Sequence, residues 1–126
     1  MKEYITTQES VLELDPAFRR VLATGAHSQL VAMTLGAGED IGAEVHDDGD
    51  QIFVIMAGWP VEVTLGEDTH QVPAGAVIMV PQGTWHNVRN AGEIPARLLT
   101  IYAPPQHADG CAAITKAEAE AEEHGH

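Results

Sequence analysis

Short runs rich in Val, Ile, Leu and Thr recur along the chain, and polar or turn-forming residues punctuate them. Nine such runs predict β-strands: "RRVLATG" (19–25), "SQLVAMTL" (28–35), "AEVH" (43–46), "QIFVIMA" (51–57), "PVEVTLG" (60–66), "THQVP" (69–73), "AVIMVP" (76–81), "HNVRNAG" (86–92) and "ARLLTIY" (96–102). Close spacing with Gly, Pro, Asp or Asn at the boundaries is the mark of an all-β sandwich or barrel, not of alternating βαβ units. "LGEDTH" predicts a hairpin turn around Gly66 and Asp68. The last stretch, "TKAEAEAEEHGH", breaks the pattern. Thr115 and Glu118 have the Thr-x-x-Glu spacing of a capping box, and Ala and Glu propagate a helix well. A short, exposed C-terminal helix that frays at its end is expected, with His124 and His126 in a solvated tail.

A chain of 126 residues suits one compact domain, residues 1–126. Nineteen acidic residues against six Lys and Arg give a formal charge of −13. Such a surface repels phosphate backbones and anionic lipid, so neither nucleic acid nor membrane is an expected partner. The N-terminal "MKEYITTQES" lacks an apolar signal core, and no apolar run reaches the length of a membrane span. Cys111 is a lone cysteine in the loop-like "ADGCAA" and has no internal disulfide partner. A reducing, cytoplasmic setting is the expectation.

Two polar clusters change the picture. Glu44 and His46 lie two positions apart, so on a strand both point to one face. The acidic turn "DDGD" brings the chain back, and Gln51 opens the next strand beside them. Buried without partners, such groups cost on the order of 1–3 kcal/mol each, and a cation supplies the missing partner. "DDGD" itself lacks the alternating oxygen donors and distal Glu of a calcium loop and reads as a solvated turn. In the second cluster, "GAVIMVPQGTWHNVRN" (75–90), Pro81 and Gly83 form a sharp turn and His86 enters a strand directly after it.

These clusters resemble the two motifs of the cupins, small double-stranded β-barrels of jelly-roll type. Gly75, Pro81, Gly83, His86 and Asn90 match every fixed position of the second motif, G-x5-P-x-G-x2-H-x3-N. Gly38, Glu44, His46, Gln51 and Gly58 keep the spacing of the first, G-x5-H-x-H-x3,4-E-x6-G, but Glu44 replaces its first histidine and Gln51 its glutamate. The resemblance spans roughly residues 20–103. It implies an all-β double-stranded β-helix, or jelly-roll barrel, with the helical tail 115–126 outside it.

Carried over position by position, the resemblance implies the metal ligands Glu44, His46, Gln51 and His86 around one divalent ion: Zn, Mn, Fe, Co or Ni. Phosphomannose isomerases of the superfamily use a Gln, His, Glu and His set, and some small uronate-ring-opening cupins have Gln where Gln51 stands. The same residues also allow a metal-free pocket closed by hydrogen bonds and water. Three functions follow as expectations: a redox-neutral isomerase or lyase acting on a small sugar or keto acid, a metal-dependent dioxygenase, or a non-enzymatic small-ligand binder.

Glu44 and Tyr102 are the candidate catalytic residues; Arg19 and Arg20 are the candidates for holding an anionic group, with surface solubility as their default role. Phe53, Ile55, Met79 and Val88 are candidate pocket lining or core, and strand parity sets Trp85 on the face opposite His86. His27 and His70 read as surface residues, and His107, just past the last strand, as a surface loop residue with folding over the barrel mouth as the alternative. By analogy with the fold, a homodimer is expected.

Overall fold

The computed structural model describes residues 3–124, with side chains as far as residue 121. Its strands are β1 (Arg19–Thr24), β2 (Gln29–Leu35), β3 (Asp50–Ala57), β4 (Val61–Leu65), β5 (Asp68–Val72), β6 (Val77–Val80), β7 (His86–Asn90), β8 (Ala96–Ala103) and β9 (Ala112–Ala113). They form two antiparallel sheets, ordered β6-β3-β8-β2-β1-β9 and β5-β4-β7. Helix α1 (Gln8–Leu12) precedes the strands and α2 (Lys116–His124) follows them. This is the expected all-β jelly roll with a short C-terminal helix.

Alternation along the strands decides what faces inward. β8 alternates buried and half-buried residues along its whole length, with Leu98, Thr100 and Tyr102 inside. On β3 the inward residues are Gln51, Phe53 and Ile55, and on β2 they include Gln29, Val31, Met33 and Leu35. Register aligns these faces: Gln29 pairs with Tyr102 and Tyr102 with Gln51, while Val31 pairs with Thr100 and Thr100 with Phe53. The interior therefore carries a polar tier at one end of the barrel above a largely aliphatic floor. The same parity corrects the expectation for Met79. With Val77 it points outward from edge strand β6 and is 54% exposed, so it lines nothing.

The predicted strand "AEVH" is absent as a ladder. Segment 38–44 follows β7 through isolated bridges, Asp40 opposite Arg89 and Glu44 opposite His86. Between those bridges the segment advances four residues while β7 advances three, the offset of a β-bulge. Gly42, at φ +90°, sits in the displaced stretch. The hairpin between β4 and β5 turns on Gly66 and Glu67, since Asp68 already pairs with Leu65. Helix α1 went unpredicted because five residues give too little periodicity. Thr7 caps it by accepting from the Ser10 amide at 3.0 Å.

At α2, Thr115 accepts from the Glu118 amide at 3.2 Å, as the capping box requires. Glu118, however, reaches back one residue further than expected, to the Ile114 amide at 2.8 Å. Lys116 ties the helix to the barrel through Asp40, and Ala119 is buried beneath it. The expectation for the tail lies outside the described residues at His126 and at the His124 side chain. No helix among the described residues is long and apolar enough to cross a membrane.

Candidate metal centre

Two turns dock at the polar end of the barrel and set the site. Pro81–Thr84 closes with the Thr84 amide donating to the Pro81 carbonyl at 3.1 Å, and Gly83 takes φ +83°. That is the third position of a type II turn, which favours glycine. The Gly83 amide then donates to the His46 carbonyl at 2.8 Å, and the Gln82 amide to Asp50 Oδ1 at 2.8 Å. The "DDGD" turn is thus stitched to the turn ahead of β7. Reciprocal backbone bonds of 2.9 Å between Glu44 and His86 complete the frame. Asn90 anchors it below, donating to the Leu35 and Ile94 carbonyls and accepting from the Gly92 amide.

This frame brings Glu44, His46 and His86 together, with one donor atom from each lying within 4.8 Å of the others. Gln51 opens β3 on the same inner tier and is 1% exposed. His86 is 2% exposed, and its Nδ1 lies 3.0 Å from the Thr84 carbonyl. A carbonyl only accepts, so Nδ1 carries the proton and Nε2 keeps a lone pair. That Nε2 is buried without a hydrogen-bond partner, as is Gln51 Oε1. His46 Nε2 is also buried, 3.2 Å from Glu44 Oε2 in an ion-pair contact that lacks aligned hydrogen-bond geometry. Native interiors seldom leave polar atoms unanswered. A divalent cation would satisfy all of them, so the donor set fits the metal that the fold implies.

Electrostatics separate the two histidines. The Glu44 carboxylate against His46 raises its pKa above the ordinary imidazole value, although burial opposes it. Burial lowers the pKa of His86, only partly offset by its bond to Thr84. Phe53, fully buried, packs beneath with its ring centroid 6.0 Å from that of His86.

Above the donors opens a cavity of about 680 Å³, walled in part by Arg19, Glu44, His46, Trp85, Tyr102 and His107. Tyr102 is buried and meets His46 edge-on at 5.8 Å. Three expectations need correction here. Arg19 is 3% exposed and belongs to the cavity wall, because β1 turns it inward with Val21; Arg20 faces the other way. Trp85 stands in the turn before β7, where strand parity does not apply, and reaches the cavity rim. His107 folds over the mouth against Tyr102, their ring centroids 5.1 Å apart, in place of a surface loop. Gln29 escaped notice in the sequence. Its signal was a polar residue in phase with buried Val31, Met33 and Leu35.

Residues 31–102 match the family described as cupin domain. The chain belongs to the cupin family. Among curated relatives, this cupin is 40% identical over 128 residues to uncharacterized protein YrkC of Bacillus subtilis (strain 168), covering 97% of this chain and 68% of that protein. It is 38% identical over 109 residues to uncharacterized protein L612 of Acanthamoeba polyphaga mimivirus, covering 84% and 68%. Among solved structures, BH2720 from Bacillus halodurans superposes with a TM-score of 0.90 at 38% identity, covering 95% of each chain.

Proposed function

We propose that Glu44, His46, Gln51 and His86 ligate one divalent metal, and that the cupin uses it for redox-neutral isomerase or lyase chemistry on a small sugar or keto acid. The observation behind this reading is the convergence of buried donor atoms without hydrogen-bond partners, on His46, Gln51 and His86, beside the Glu44 carboxylate. When bound, the ion supplies Lewis-acid polarisation of a carbonyl and stabilises charge that develops beside it. The side chains do the rest. Glu44, the more exposed member of its pair with His46, is the group placed to take a proton from a substrate in the cavity. Tyr102, which lines the cavity between His46 and His107, returns one through its phenol. Phe53 and Val88, both fully buried, keep the floor dry and strengthen these interactions.

Elemental analysis of tag-free protein, purified without chelator, tests the reading beside a His46→Ala, His86→Ala double variant. Stoichiometric transition metal in the wild type that disappears in the variant supports it. Equal metal in both defeats it. Turnover with Zn²⁺ that is indifferent to oxygen separates this chemistry from a dioxygenase.

The reading extends to a homodimer formed through the outer face of the six-stranded sheet. Register lines up Met79, Ile52, Ile101 and Leu30 in one cross-strand row, and Val77, Val54, Leu99 and Ala32 in the next. Neither row carries an acidic side chain across β6, β3, β8 and β2, on a chain whose net charge is −13, and the second row continues on β1 to Arg20. A second copy presents the same rows without acidic side chains and so brings no carboxylates together at the contact. Light scattering that shows a monomer at micromolar concentration would count against it.

A further inference from the structure

The cavity has a second polar wall, across Tyr102 from the metal donors, and its construction indicates what the ligand carries. Three features build it. Arg19 projects from the inward face of β1 and is 3% exposed. Arginine stays ionised at any physiological pH, and its planar fork matches a carboxylate. His107 comes from the segment after β8, and its Nε2 is buried without a hydrogen-bond partner. Burial, together with the charge of Arg19, pushes the His107 pKa down to about 4, so near neutrality the ring adds hydrogen-bonding capacity without charge.

The third feature is a clamp. Gln29 is 2% exposed, and its amide uses all of its hydrogen-bonding capacity. Its Nε2 donates to Thr24 Oγ1 at 2.9 Å and to the His107 carbonyl at 2.8 Å. Its Oε1 accepts from the Gln106 amide at 3.2 Å and the His107 amide at 3.0 Å. Three of those four bonds hold the segment after β8, so one side chain fixes where His107 stands. A loop that needed only to connect β8 to β9 would not require a fully buried amide to pin it over the barrel mouth.

We propose that Arg19 and His107 form a carboxylate-binding subsite, with Gln29 as its positioning residue, so that the ligand is an oxo or hydroxy acid and not a neutral sugar. This rests on reading the cavity as the substrate site. Tyr102 stands between the two walls, 5.8 Å from His46 and 5.1 Å from His107 by ring centroids. The acid group therefore lies several bonds from the oxygens that face Glu44 and His46. Net charge adds weight: the cavity wall of a strongly acidic chain includes one of its six Lys and Arg residues, held inside.

Calorimetric titration of metal-free, chelator-treated protein with succinate, and with succinamide as the neutral match, tests the subsite apart from the metal. Succinate is expected to bind the wild type and succinamide to bind at least about tenfold more weakly. Arg19→Met is expected to abolish the difference. Arg19→Lys keeps the charge but loses the fork, so it should retain weakened binding, and it serves if the Met variant fails to fold. Gln29→Leu should weaken succinate although Arg19 remains. Wild type that binds zinc stoichiometrically but shows no preference for succinate overturns the subsite and leaves the metal reading standing. Succinate binding that depends on Arg19, in a protein that takes up no metal, does the reverse. Succinate affinity unchanged in Gln29→Leu removes the clamp and His107 from the proposal.

Discussion

Replacing Gln51 by Glu changes the charge at one donor and almost nothing else, and it should move stability in opposite directions with and without metal. Gln51 is 1% exposed, and its Oε1 has no hydrogen-bond partner. Without a metal, a carboxylate at that place is removed from water, and such burial raises a Glu pKa by roughly 2–4 units. At about 1.4 kcal/mol per unit, the metal-free fold loses roughly 3–4 kcal/mol near neutral pH, where protonation caps the cost. His46 lies close enough for pairing to return part of that loss. For a domain of this size the melting temperature should fall by roughly 10–20 °C in chelator. With Zn²⁺ in excess the sign reverses, because a second carboxylate attracts the dication that the amide only solvates. A gain of about 1.4 kcal/mol is tenfold in affinity, so dissociation constants should tighten at least that far. Thermal melts in chelator and in zinc, with competition titration against a chromophoric chelator, read both effects. Unchanged melting in chelator together with equal or weaker zinc affinity would refute Gln51 as a donor facing the ion.

Three further outcomes are expected. Asn90→Leu removes three side-chain hydrogen bonds and strands the Leu35 and Ile94 carbonyls and the Gly92 amide; urea unfolding should show a loss of roughly 3–5 kcal/mol. Gly58→Ala puts a methyl group 2.9 Å from Ala96 Cα at φ +114°; a loss of at least about 2 kcal/mol is expected, and a melting point within 2 °C or so of wild type would contradict the steric argument. His107 should remain neutral down to about pH 4, where its ring protonates. The unfolded chain takes up that proton near the ordinary histidine value of about 6.5. Its contribution is therefore complete above that value and drains away as pH falls towards 4. Proton NMR of the imidazole that gives a midpoint near 6.5 would show His107 in solvent.

Legibility in the sequence followed the regularity of each element. β3 and β8 were plain because each is a long apolar-rich run bounded by turn residues; β8 alternates between a packed and a looser face over all eight residues, and β3 does so until its bulge near Ala57. The turn at Pro81–Gly83 was plain because proline fixes φ and glycine tolerates the positive φ that the turn needs. Segment 38–44 was not, since a bulge moves the register by one residue and leaves only isolated bridges. Met79 was misplaced because hydrophobicity says that a residue prefers burial, whereas edge strand β6 offers its outer face nothing to be buried against. Arg19 and His107 were taken for surface residues for the opposite reason. Charge and loop context favour solvent until the strand pairing of β1 and the Gln29 clamp override them.

The amino-acid order alone determined the all-β class and the spacing of the two motifs, because period, turn chemistry and spacing are local properties of the chain; the jelly roll and the candidate donors followed from the resemblance those motifs carry. The order could not set distances between residues forty positions apart. The meeting of Glu44 with His86, the orphaned nitrogens and amide oxygen, and the second wall of the cavity arise only when two sheets close on each other. Hydrogen bonds and burial act through space, and the partners they join here lie as far apart along the chain as Gln29 and His107.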